Sequence, residues 1–232
     1  MIPLGQRHRP AMRIRILTSL IICISQTAYA GAWAREKGEL FIAAGGNFLL
    51  SSGAQLPVHY DPTLYAEFGA TERLTFGLDL HTADKGRIGT VFIFTNFPIG
   101  DTEAQDRYSA GFALGARADA YHATETLLRG HVSWGRGIED GWLAVDASAT
   151  YGTRDRTFRP KVDATWGQSW SDNWTTILQL QTGQGFTGDY YAKIAPSIVY
   201  EWSDKMNFQL GLVQGLTGDK GAGLKFETWL TY

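Results

Sequence analysis

The chain has 232 residues, 44% of them hydrophobic, with 27 Gly, 8 Trp, 10 Tyr and 12 Phe. This composition excludes intrinsic disorder and suits one all-β domain, and beyond the N-terminus charges interrupt every apolar run before the roughly 20 residues that a membrane-crossing helix needs. The formal net charge is −2, without the basic footprint that a nucleic-acid partner calls for.

The first thirty residues carry Arg7, Arg9, Arg13 and Arg15, then the apolar run Ile16 to Ile24, then Ala28-Tyr29-Ala30 followed by Gly31. A basic start, a short apolar middle and an A-x-A ending predict a secretory signal peptide over 1–30 and a mature domain over 31–232. Met12 is a second candidate start. Cleavage takes away four of the 21 basic residues and none of the 23 acidic ones, which leaves a net charge of −6. It also removes Cys23, the only cysteine, so no disulfide is expected. Acylation of Cys23 is disfavoured, because Ile22 stands where a lipoprotein signal takes a small residue.

From Lys37 onward, short alternating runs are separated by Gly, Asp, Asn and Ser clusters, which is strand-and-turn punctuation. The pattern predicts twelve strands near 38–50, 60–69, 73–82, 88–98, 107–118, 124–135, 141–151, 158–170, 174–183, 189–202, 206–216 and 222–232. Three junctions look like copies of one hairpin unit: Glu67 to Leu74, Ser169 to Trp174 and Glu201 to Met206. Each sets an aromatic just before a polar turn and an apolar residue just after it.

Side chains alternate between the two faces of a strand. On 73–82, Leu74, Phe76, Leu78 and Leu80 oppose Thr75, Gly77, Asp79 and His81; on 174–183, Trp174, Thr176, Leu178 and Leu180 oppose Thr175, Gln179 and Gln181. On 206–216, Met206, Phe208, Leu210 and Leu212 oppose Asn207, Gln209 and Gly211. The polar face carries Glu67, Asp79, Arg107, Arg117, Asp119, Arg129, Asp146, Arg159, Lys161, Asp163, Lys193, Glu201, Lys225 and Glu227, seven charges of each sign. Lys161 with Asp163, and Lys225 with Glu227, are two apart on one face and are expected to compensate each other.

The last strand, Leu224 to Tyr232, puts Leu224, Phe226, Thr228, Leu230 and Tyr232 on one face and Lys225, Glu227, Trp229 and Thr231 on the other, which is read as the wet one. An apolar row that steps back by twos from a terminal aromatic resembles the closing strand of bacterial outer-membrane β-barrels. The resemblance implies a transmembrane antiparallel up-and-down β-barrel of about twelve strands in a Gram-negative outer membrane. Leu224, Phe226, Leu230 and Tyr232 would then be the sorting signal read by the barrel-assembly machinery. The partners that follow are the lipid bilayer, lipopolysaccharide, periplasmic chaperones and small solutes.

In that setting the turns at 70–72, 99–106, 136–140, 171–173 and 203–205 face the periplasm. The loops at 51–59, 83–87, 119–123, 152–157, 184–188 and 217–221 face outward. Phe68, Phe97, Tyr108, Trp134, Trp166, Trp174, Trp202, Phe208 and Tyr232 all fall near periplasmic strand ends, where an interfacial girdle of rings is expected. Gly31-Ala32-Trp33 with Lys37-Gly38, and Phe68 to Leu74, are similar to a group of proteobacterial barrels named for phenol-degradation pathways. No aromatic substrate follows, because no matching pocket can be named.

The charged face becomes a candidate pore lining. Arg107, Arg117 and Arg129 would form a strip that draws anions, unless Asp119, Glu125 and Asp146 pair with them and close the lumen. His131 and Ser133 share one face of 124–135, yet the chain lacks the His-x-Ser-Asn-Gly type of run found in phospholipase barrels. Asp101, Glu103 and Asp106 share a turn but lack the central Gly of a calcium loop. No catalytic residue, metal ligand or cofactor is expected. The reading is a narrow passive channel for small solutes; the alternative is a closed barrel that anchors a partner or assists export, with a lipid-modifying barrel as a remote third.

Overall fold

The computed structural model describes residues 31–50, 58–83, 87–119, 124–218 and 221–232. The expected signal peptide with Cys23, and most of the expected outer loops at 51–59, 83–87 and 119–123, lie outside the described residues.

Twelve strands are present among the described residues: β1 (Leu40–Leu50), β2 (Val58–Thr71), β3 (Leu74–Ala83), β4 (Ile88–Ile99), β5 (Asp106–Ala118), β6 (Thr124–Ile138), β7 (Gly141–Gly152), β8 (Phe158–Ser171), β9 (Trp174–Gln184), β10 (Tyr190–Ser203), β11 (Met206–Thr217) and β12 (Ala222–Thr231). Each pairs antiparallel with its neighbours in the chain, and β1 pairs with β12, so the sheet closes into an up-and-down barrel. In that seam Phe41 lies opposite Thr231 and Phe48 opposite Leu224. Closure leaves no unpaired strand edge.

Most strands run one to three residues further than the alternation predicts. β6 extends to Ile138, and the turn expected at 136–140 shrinks to Glu139 and Asp140. Strands in a barrel tilt by roughly 40°, so each needs extra length to reach the rim. Asp140 takes φ 52°, a left-handed value that Asp tolerates better than most residues. The three junctions that read as copies share a feature. Each has a register shift, between Gly69 and Thr71, between Ser169 and Ser171, and between Glu201 and Ser203, immediately before a two-residue turn. These are β-bulges, which add local twist at a barrel rim.

The outer wall is apolar. Ile93, Phe112, Leu114, Val132, Leu210 and Leu212 are exposed on it at mid-height. The predicted girdle is present at the end that carries both termini, where Phe68, Phe97, Tyr108, Trp174, Trp202 and Tyr232 are exposed and Trp134, Trp166 and Phe208 are half-buried. A second, partial belt, not foreseen, lies at the opposite end on β1, β2, β7, β8 and β10: Phe48 stacks on Tyr60 at 4.7 Å, Tyr151 packs on Phe158 at 4.9 Å, and Tyr190 is exposed. Tyr190 and Tyr200 are ten residues apart on β10, about 33 Å along a strand, or about 25 Å along the axis after tilt. That equals the height of the apolar band of membrane barrels.

Candidate channel lumen

Odd-numbered positions of β1, β2, β3, β5, β6, β8, β9, β10, β11 and β12, and even-numbered ones of β4 and β7, point inward, as the burial alternation shows. They enclose two adjoining chambers. The larger, about 780 Å³, reaches toward the end away from the termini, and the smaller, about 230 Å³, lies toward the termini. Tyr65, Asp146, Gln179, Lys225 and Glu227 border both.

Ten of the fourteen predicted lining charges border the larger chamber: Glu67, Asp79, Arg129, Asp146, Arg159, Lys161, Asp163, Lys193, Lys225 and Glu227. Most are neutralised in place. Arg129 donates from Nη1 to Asp79 Oδ2 at 2.9 Å and lies 3.6 Å over the Phe92 ring. Lys161 binds Asp163, and Lys225 lies 3.2 Å from Glu227, the two same-face pairs expected from the spacing. Arg159 binds Asp155.

The other four predicted positions do not border it. Arg107 sits near the terminal rim and donates from Nε to the Ala104 carbonyl at 3.3 Å. Glu201 is two residues from the terminal end of β10, and Asp119 lies just past the far end of β5. Arg117 lies 3.9 Å from Glu125 and 4.2 Å from the Phe186 ring, which also has Arg159 at 4.7 Å. The expected arginine strip is therefore divided. Arg107 and Arg117 stand ten residues apart on β5, and Arg129 pairs across the lumen with β3 rather than with Asp146.

The lumen is less polar than the alternation implies. Trp229, read as part of the wet face of β12, is only 5% exposed and packs with Phe41, Trp142, Ile177 and Val199 to floor the smaller chamber. Higher up, Phe92, Phe94, Ala113 and Leu127 form a second buried cluster. The reason is geometric: three of these inward rings lie directly opposite a glycine. Trp142 faces Gly167, Phe94 faces Gly77 and Phe92 faces Gly115. A Cβ at Gly167 or Gly77 would sit about 2.0 Å from the ring, so each ring lies flat in the space its partner leaves.

The sequence also gave no sign that the segment before β1 enters the barrel. Arg35 is buried with Glu67, donating from Nε to Oε2 at 2.7 Å, while Nη1 reaches Glu39 Oε1 at 3.1 Å and the guanidinium lies 4.3 Å over Phe41. Tyr65 donates to the other Glu67 oxygen at 2.8 Å. Trp33 lies over Gly135, where a Cβ would come within 2.2 Å of the indole. At the start of the segment, the Gly31 carbonyl accepts from Asn96 Nδ2 and from Ser109 Oγ, both at 2.6 Å. Residues 31–36 thus occupy the half of the lumen nearest the termini.

His131 and Ser133 share the inward face of β6, but they serve different partners. Ser133 Oγ donates to Asp146 Oδ1 at 2.5 Å, and His131 stands edge-on to Phe94 at 6.1 Å. At the start of β5, Asp106 accepts from Arg136 and from Trp134 rather than joining Asp101 and Glu103.

No family model and no curated protein matches the sequence. Solved structures do match the fold. The NanC porin superposes with a TM-score of 0.60 at 10% identity, over 83% of this chain and 99% of its own. The KdgM porin gives 0.58 at 8%, over 84% and 99%. An outer-membrane channel of Pseudomonas putida F1 gives 0.59 at 11%, over 89% and 100%. At these identities the likeness is one of fold, and all three chains are spanned almost end to end.

Proposed function

We propose that this chain is an outer-membrane β-barrel of a Gram-negative bacterium and acts as a narrow passive channel for small solutes. One combination carries the reading: an apolar wall bounded by two aromatic belts about 25 Å apart, enclosing a charged chamber of about 780 Å³. An apolar exterior of this height is stable only in hydrocarbon, and charges of both signs persist at modest cost only where water reaches them. Twelve strands also lie between the eight that side chains fill and the sixteen or more that leave an open water channel. The names of the superposable barrels, two porins and one outer-membrane channel, agree with it. Because the lining charges are largely paired, the channel is expected to select weakly between anions and cations.

The test is single-channel conductance of the refolded 31–232 domain in a planar bilayer with a salt gradient. Small, steady openings with a reversal potential near zero are expected. Silence from a barrel that still shifts on gels after heating would instead support a closed barrel with an anchoring or export role.

The same reading makes the end of β12 a sorting signal. Leu224, Phe226 and Tyr232 are exposed on the outer wall, while the Tyr232 backbone closes the seam, its N–H donating to the Leu40 carbonyl at 2.9 Å. Deleting Tyr232 is expected to lower the amount of heat-modifiable barrel in outer-membrane fractions several-fold. Normal levels in the variant would remove the sorting role.

A further inference from the structure

We propose that the α-amino group of Gly31, freed by removal of residues 1–30, is held inside the barrel by Asp146 and Asp163, and that this contact pins residues 31–36 as a plug across the lumen. The inference rests on the signal-peptide expectation and deepens the channel reading. Its chemistry is hydrolysis of the Ala30-Gly31 peptide bond by the leader peptidase of the export machinery. Water supplies the oxygen of the new Ala30 carboxylate, and its protons go to the Gly31 nitrogen, which becomes a primary ammonium.

The seat for that ammonium is already built. A Cβ at Gly31 would lie 2.0 Å from Asp146 Oδ1 and 2.6 Å from Ser133 Oγ. A Cβ is about 2.5 Å from the nitrogen of its own residue, so that oxygen is within about 4.5 Å of the Gly31 nitrogen. That contact leaves no room for a side chain, so it reserves the position for glycine. Its carbonyl is fixed by two buried donors, Asn96 and Ser109.

The charges around it call for a cation. Asp146 and Asp163 are directly opposite each other on β7 and β8, an arrangement that repels when both are ionised. Lys161 compensates one of them through Asp163 Oδ2. Asp163 Oδ1 is buried without a partner, and so is Oδ1 of Asn96, the residue that already holds the Gly31 carbonyl. An ammonium brings three donors and one positive charge to a place with spare acceptors and one uncompensated carboxylate. A peptide nitrogen brings one donor and no charge. Arg35 with Glu67 then fastens the other end of the segment.

Mass spectrometry of the protein from outer membranes comes first: a mature N-terminus at Gly31 is required, and any other start overturns the proposal. The barrel is next treated with an amine-acylating reagent at neutral pH, and labelling of the α-amine is read by peptide mapping. Labelling at least tenfold slower in the folded barrel than in the urea-unfolded chain is expected, with protection lost in the Asp146→Asn variant while its heat-modifiability is kept. Equal rates in the folded and unfolded wild-type protein would overturn the seat. If Asp146→Asn fails to fold, a chain with one extra residue before Gly31 replaces it, since it moves the ammonium out of the seat; retained protection there also overturns the proposal. In planar bilayers a chain starting at Gly38 is expected to conduct several-fold more than one starting at Gly31, and equal conductance would refute the plug. Silence from both would refute the channel reading alone, with amine protection still deciding the seat.

Discussion

Replacing Leu210 with Arg is expected to destabilise the barrel by about 2–4 kcal/mol, the cost of a cationic side chain facing hydrocarbon at mid-depth. Leu210 is 52% exposed on the outer wall, between Ile198 on β10 and Phe226 on β12. Its neighbours offer no acceptor, and the long arm must reach a belt to find water. The control is Thr63→Arg, where the side chain enters the larger chamber near Asp79 and Asp61; a change within about 1 kcal/mol is expected there. Gln209, one residue from Leu210, is a poor control although it faces inward, because it is buried and donates to Ser197 Oγ at 2.7 Å. Urea unfolding from lipid vesicles, followed by tryptophan fluorescence, measures both variants. Equal midpoints would mean that the assignment of inside and outside is wrong.

Trp229→Ala is expected to cost about 3–5 kcal/mol, the usual range for emptying a large aromatic site in a packed interior. Trp229 meets Phe41 edge-on at 6.4 Å, touches the cluster of Trp142, Ile177 and Val199, and donates from Nε1 to Glu227 Oε2 at 3.1 Å. Its removal also opens the floor of the smaller chamber, so conductance should rise as stability falls. Trp229→Phe keeps most of the ring volume and loses only the hydrogen bond, for about 1 kcal/mol. An alanine variant that unfolds at the wild-type urea concentration would show that the floor is not packed.

The alternation made the barrel legible because a membrane wall and a watery lumen sort side chains by a period of two, which strands β3 and β11 follow from Leu74 to His81 and from Met206 to Leu212. The same rule hid the lumen's aromatics. On β7 the inward row begins Trp142, Ala144 and the outward row Leu143, Val145, so both faces look greasy. The distinguishing sign is a glycine across the ladder, as Gly167 is for Trp142, and it appears only once the register is known. The inserted segment left no periodic trace at all. Arg35 and Glu67 are 32 residues apart, and the pairing of β1 with β2, which sets Phe41 opposite Glu67, brings them together. The same-face pairs of Lys161 with Asp163 and Lys225 with Glu227 were legible because they are local, whereas the pairing of Arg129 with Asp79 spans 50 residues.

The seam between β1 and β12 bears on how the molecule is made and unmade. Every other ladder joins strands that follow one another, so each can form as a local hairpin. Phe41 must instead find Thr231, about 190 residues away, against a loop-closure entropy that grows with the length enclosed. The ring therefore closes last, and the contact that is slowest to form is also the one whose loss re-exposes two strand edges at once. Once it is made, unfolding cannot begin by fraying an end and must first break a whole ladder, so the protein's lifetime in the membrane is set by the rate at which one seam opens.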